Sequence, residues 1–188
     1  MNRAAMIERF LHVVEQDILP KTIRGVTEGH KIFGAAILRR SDMSLVTAET
    51  NHEGLNPMWH GEVFTIKTFF DDPDHPAPED CIFLSTHEPC SMCLSALAWS
   101  GFREVYFLFG YNETKDDFDI PDDIRMLKEI FRCEKPSRKS SYLEMWSIPE
   151  ILEEMADPAS YLRKIEDLKQ HYLRLSEQYF SQKNLKGM

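Results

Sequence analysis

Nowhere among its 188 residues does this chain carry an apolar run long enough to cross a bilayer, so no membrane contact is expected. Its first ten residues, Met1 to Phe10, mix charges into their apolar positions, where a secretory leader would keep a clean apolar stretch. A cytoplasmic protein is therefore expected. Basic residues are also in short supply: 22 Lys and Arg stand against 31 Asp and Glu, a formal net charge of −9. Proteins that grip nucleic acid draw much of their affinity from a basic face, so nucleic acid is not an expected partner. The one basic cluster, Lys135, Arg138 and Lys139, falls in a predicted loop and reads as solvated. Cysteines number four: Cys81, Cys90, Cys93 and Cys133. In a cytosolic protein thiols stay reduced, so a C-x-x-C pair points to metal or redox chemistry rather than to a structural disulfide. Internal repeats, low-complexity tracts and long charge blocks are missing as well.

What remains suits one domain over residues 1–188, with a hydrophobic fraction of 43% and a charged fraction of 28%. Apolar spacing at Met6, Phe10, Val13, Val14 and Ile18 predicts a helix over 2–19, ended by Pro20. Two strands follow, over 32–38 and 44–48, then a loop from Asn51 to Pro57 and a short helix from about His60 to Phe70. Residues 82–85 and 105–109 read as buried strands. Between them a helix opens at Pro89 and stops at Gly101. Strand, helix, strand in that order predicts a parallel crossover in an α/β sheet covered on both faces. An acidic loop over 112–119, a helix over 121–131, a strand over 141–146 and a short helix over 149–155 complete the middle of the chain. A last helix begins at Asp157-Pro158 with an apolar stripe of Leu162, Ile165, Leu168, Tyr172, Leu175 and Tyr179. That stripe fits packing on its own domain and a subunit contact equally well.

The chemistry is concentrated in two short segments. Trp59-His60-Gly61-Glu62 carries H-x-E, and Glu88-Pro89-Cys90-Ser91-Met92-Cys93 carries P-C-x-x-C, the pairing known for zinc deaminases. One imidazole and two thiolates suit Zn²⁺. Three protein ligands leave the fourth tetrahedral position to water, which zinc makes nucleophilic by lowering its pKa towards ~7. Cys90 and Cys93 are spaced to share a helix face, and a helix N-terminus favours thiolates. His60 and Glu62 meet at one site only if His60 sits at the helix edge, with Pro57 holding the preceding loop extended. Glu62 is then placed to shuttle protons rather than to bind metal. A closed structural zinc site would want a fourth protein ligand, but Cys81 reads as a buried core thiol. A redox C-x-x-C would leave H-x-E unexplained. His12, His30, His52, His75, His87 and His171 read as surface or satisfied core histidines.

On Phe33-Gly34-Ala35, on Pro57 to Val63 and on Thr86 to Ala96, the chain resembles the cytidine deaminase-like superfamily. Its nearest branch holds bacterial guanine deaminase, fungal-type cytosine deaminase and tRNA adenosine deaminase. The resemblance covers about residues 30 to 131. It implies a three-layer α/β/α sandwich with a mixed central sheet, a deaminase site at two helix N-termini, and a homodimer. On this reading the core spans about 30–147, and residues from about 148 to 188 form a helical extension. Asn51 matches the loop asparagine that contacts substrate. Gly61 within H-G-E is like cytosine deaminases. Ala98-Trp99 and Asp117-Phe118-Asp119 are similar to guanine deaminases, and Asp119 stands where an aspartate meets the base. Phe33, Trp59 and Trp99 are expected as pocket walls for a flat ring, with Trp146 as a further candidate.

The expectation is a zinc-dependent hydrolase that deaminates a small amino-heterocycle, guanine slightly ahead of cytosine. A tRNA-specific adenosine deaminase and a non-catalytic zinc-binding interaction protein are the alternatives.

Overall fold

The computed structural model describes residues 2–185. Five strands form one sheet in the order β2-β1-β3-β4-β5. They are β1 (Gly34–Arg39), β2 (Leu45–Thr50), β3 (Cys81–His87), β4 (Glu104–Phe109) and β5 (Glu144–Ser147). β1 runs antiparallel to both β2 and β3, while β3, β4 and β5 run parallel, so the sheet is mixed. Every residue of β3 is buried. A run that is apolar without alternation belongs in the centre of a sheet covered on both faces, and β3 is the middle strand.

One face of the sheet is covered by α3 (Gly61–Asp71) and α4 (Ser91–Trp99), which join Phe69, Phe83, Leu97, Phe102 and Phe107 in a core cluster. The other face carries the N-terminal helices α1 (Arg3–Val13) and α2 (Leu19–Glu28), with α7 (Ile148–Glu153) and α8 (Ala159–Leu185). The result is the three-layer α/β/α arrangement. Its core extends beyond residues 30–147. Ile7, Phe10, Leu11 and Ile18 from the start of the chain share one cluster with Leu168, Tyr172 and Leu175 from its end. The α8 stripe therefore packs on its own chain, with Leu162 alone left 45% exposed.

Pro20 does not end the first helix. The helical run continues to Glu28 because a five-residue π-turn, Val14–Ile18, widens the backbone just ahead of the proline. That extra residue absorbs the missing N–H, and Pro20 falls in the first turn of α2, where no donor is needed. The expected acidic loop over 112–119 is partly helical, forming α5 (Tyr111–Asp116), whose start is capped by Glu113 Oε2 accepting from the Gly110 N–H at 3.1 Å. α6 (Asp122–Glu129) follows. Arg138 also departs from expectation. Far from being solvated, it lies over the Phe107 ring and pairs with the buried Glu88. Among the described residues no helix is long and apolar enough to cross a membrane.

Candidate active site

His60 is the N-cap of α3, in extended backbone geometry, and Cys90 is the N-cap of α4. The two helices enter the sheet side by side, so both N-caps meet at one point. Pro57 contributes differently from expectation. It sits in a turn rather than in extended chain, and Asn56 Oδ1 accepts from the Met58 N–H at 3.0 Å to shape that turn. His52 N–H donates to the Trp59 carbonyl at 2.8 Å and closes the loop that delivers His60.

His60 Nδ1 lies 3.6 Å from Cys90 Sγ and 3.6 Å from Cys93 Sγ, and the two sulfurs are 3.5 Å apart. A tetrahedral zinc with bonds of ~2.0 to 2.3 Å asks for edges of ~3.6 to 3.8 Å between such donors, so the triangle fits the ion. No other group of three or more His, Cys, Asp or Glu among the described residues comes together closely enough to hold a metal. Cys81 is fully buried on β3, and burial pushes its thiol up to about 11.

Glu62 stands one helical step beyond, with only 4% of its surface exposed. Its Oε1 accepts from Ser85 Oγ at 2.9 Å, and its Oε2 lies 3.4 Å from Cys93 Sγ. Burial raises its affinity for a proton, and the Cys90 charge raises it further. Cys90 is pulled down to about 4 by the hydrogen bond from Cys93, despite burial, with His60 helping. Burial weighs against the His60 imidazolium, but the Cys90 hydrogen bond and charge outweigh it, and the net shift is upward.

Around this centre the structure gathers some of the expected contact residues and not others. Asn51 is fully buried; its Oδ1 accepts from the Gly61 N–H at 2.5 Å, while its Nδ2 has no partner among the described residues. Phe33 is 6% exposed, turns its ring edge to His87 and accepts the Asn51 N–H on its carbonyl. Trp59 packs on Phe64 with ring centroids 5.2 Å apart. These are the positions just before the N-cap and four past it, so Trp59 staples the helix entry instead of standing as a free pocket wall. Trp99 lies at the far end of α4 from Cys90 and is 91% exposed, beside Tyr142. It does not reach the site. Nor does Asp119. That residue is exposed in left-handed backbone (φ 55°), between the buried Phe118 and Ile120.

The acid that the structure does bring to the site is Asp123, in the first turn of α6. It lines a cleft of about 240 Å³ together with His60, Lys31 and Met126. Burial, with the Cys90 and Glu62 charges, pushes its carboxyl up to about 7. Neither Asp123 nor Ser85 is set apart by residue type or spacing in the sequence. Only the α4–α6 packing and the inward face of β3 mark them out.

Residues 15–109 match the family described as the cytidine and deoxycytidylate deaminase zinc-binding region. No curated protein matches the chain. Guanine deaminase from Bacillus subtilis is similar in structure at 24% identity and a TM-score of 0.53, over 87% of this chain and 94% of that one. Guanine deaminase from Nitrosomonas europaea gives 16% identity and a TM-score of 0.50, over 86% and 80%. A mutant protein in complex with 8-azaguanine gives 18% identity and a TM-score of 0.52, over 86% and 81%. These likenesses bear on the fold alone. The family match takes in both motif segments and half of the chain, so the protein belongs to the cytidine and deoxycytidylate deaminase zinc-binding family and is a zinc-dependent hydrolytic deaminase.

Proposed function

We propose that this enzyme deaminates a free amino-heterocycle, guanine ahead of cytosine, with His60, Cys90 and Cys93 as the metal ligands and Glu62 as the catalytic proton carrier. The observation that carries this reading is the open triangle of donors with one carboxylate, Glu62, held beside it and steadied by Ser85. Zinc supplies a Lewis acid there that brings the pKa of water towards ~7. Glu62 takes a proton from the attacking water and passes it to the ring nitrogen next to the amino-bearing carbon. The hydroxyl left on that carbon then gives up its proton, which Glu62 carries to the amino group; the carbon–nitrogen bond breaks, ammonia leaves and the hydroxyl becomes the product carbonyl. Burial raises the Glu62 carboxylate's affinity for a proton, which favours the first transfer.

Two side chains support a ring of the guanine kind. The partnerless Asn51 Nδ2 offers a donor to a ring nitrogen or carbonyl. Asp123, on the cleft wall, offers an acceptor, and guanine carries ring N–H groups that such an acceptor can meet. The net charge of −9 supports a small substrate over tRNA. The exposed apolar residues Trp99, Tyr142, Ile130 and Phe131 support self-association as a homodimer, to be read by sedimentation velocity. A reducing compartment such as the cytoplasm suits the free thiols. The whole chain is proposed to act as one domain.

The test is ammonia release from guanine, cytosine, their nucleosides, amino-triazines and tRNA, with Glu62→Gln alongside. Guanine is expected to be turned over fastest, and Glu62→Gln to keep its zinc while losing nearly all turnover. Release from tRNA alone would defeat the small-molecule reading. No release from any substrate would favour a non-catalytic zinc protein.

A further inference from the structure

Between the sheet and the start of α4 lies a buried ion pair that the chemistry above leaves unused. Glu88, whose side chain is 2% exposed, precedes Pro89 and the metal-ligand candidate Cys90. Arg138 reaches it from the loop ahead of β5. Its Nε donates to Glu88 Oε1 at 2.9 Å and its Nη2 to Oε2 at 3.2 Å, a two-point contact. Its Nη1 donates outward to Glu150 Oε1 at 2.7 Å, and the guanidinium lies 4.8 Å from the centre of the Phe107 ring. The Arg138 carbonyl accepts from the Met145 N–H at 2.7 Å, which ties the arginine backbone to β5. Tyr111 completes the clamp: its N–H donates to Glu88 Oε2 at 3.2 Å and its hydroxyl to the Pro89 carbonyl at 2.6 Å.

We infer that Arg138 is a positioning residue for the metal site, acting through Glu88 to fix the Glu88-Pro89-Cys90 turn from which α4 and both sulfurs project. The inference rests on the metal assignment above. Its physical basis is the geometry of the pair. A carboxylate this buried cannot turn to water for its hydrogen bonds, so it stays where its donors are. Those donors are anchored on β4–α5 and on β5, elements remote in sequence from the C-x-x-C helix. Pro89 has no N–H, so the turn lacks a backbone donor there and depends on the side chain before it and the carbonyl after it. A planar two-point guanidinium fixes the direction of the carboxylate as well as its place, which an ammonium cannot do. Outer partners of this kind typically govern metal affinity by ~10–100-fold.

The experiment compares wild type, Arg138→Met, Arg138→Lys and Glu150→Gln in the full chain. The readouts are the rate of zinc release to a chromogenic chelator, the visible spectrum of the cobalt-substituted protein, and kcat with KM. Arg138→Met is expected to release zinc ~10–100-fold faster and to alter the cobalt bands, with kcat falling and KM little changed. Arg138→Lys should fall between it and wild type, and Glu150→Gln should stay near wild type. If Arg138→Met does not fold, Arg138→Lys carries the test, since one ammonium cannot make both bonds to Glu88. A folded Arg138 variant with wild-type zinc release and cobalt spectrum overturns the inference, even if it unfolds at lower urea. Failure of the metal assignment itself looks different: wild type would then take up neither ion, or His60→Ala would bind as much as wild type.

Discussion

A Cβ on Gly61 would lie 2.7 Å from the Gly34 Cα and 2.8 Å from the Phe33 carbonyl oxygen. Both neighbours are backbone at the start of β1 and cannot turn aside. The glycine between His60 and Glu62 thus lets the N-terminus of α3 rest directly on the sheet, where Asn51 Oδ1 receives the Gly61 N–H. Gly61→Ala should force that helix end outward and take its two flanking residues along. The expected cost is about 1–3 kcal/mol in urea unfolding, with kcat down by at least ~10-fold. Unchanged kcat in a folded Gly61→Ala protein would mean that the contact places nothing of catalytic value.

Ser85 donates to the Glu62 carboxylate from the central strand. Hydrogen bonds to charged groups contribute about 1.5–3 kcal/mol, so Ser85→Ala is expected to lower kcat by roughly 10- to 100-fold. Zinc content and KM should stay close to wild type, because Ser85 touches neither ligand nor cleft. Steady-state kinetics paired with metal analysis would check this, and a rise in KM without loss of kcat would contradict it.

His87 is 1% exposed, ringed by Phe33, Phe109, Phe118 and Tyr172, and burial pulls its pKa from 6.5 down to about 3. Between those two values the unfolded chain binds a proton that the folded chain refuses. Stability from this group is therefore complete above pH 6.5 and declines as pH falls towards 3. At pH 5 the loss is about 2 kcal/mol. Unfolding free energies from urea titration of the metal-free protein at pH 7.5 and pH 5 should differ by about that much more in wild type than in His87→Gln. Equal pH slopes in the two proteins would refute the assignment.

Asp123 and Asp119 make opposite predictions. Asp123→Asn should raise KM for the proposed substrate by about 10-fold or more, since the acceptor on the cleft wall is lost. Asp119→Asn, exposed on a left-handed turn, should change neither kcat nor KM. Kinetics of the two variants side by side would decide which acid meets substrate.

Removal of metal with a strong chelator is expected to abolish ammonia release and to lower the melting temperature, with both recovered on adding one zinc per chain. A fully active chelated protein would be incompatible with the donor triangle.

The spacing of His60, Glu62, Cys90 and Cys93 made the metal chemistry legible from residue types, because ligand identity and helix-start geometry are local properties. The parallel crossover of β3 and β4 could likewise be read from their uninterrupted apolar runs on either side of a helix. Pro20 misled because a π-turn depends on how two helices share one core, a matter no window of residues reports. Trp59, Trp99 and Asp119 were the right residue types in promising places, yet the direction of each was decided by what the fold left open: the Phe64 face, solvent, and an exposed turn. Asp123, Ser85 and Arg138 gain their meaning only when α6, β3 and the loop ahead of β5 converge on two helix ends. The chain written as letters therefore determined which chemistry is possible. Which side chains surround that chemistry was decided by packing between distant segments, since contacts across the sheet are long-range and leave no period in the sequence.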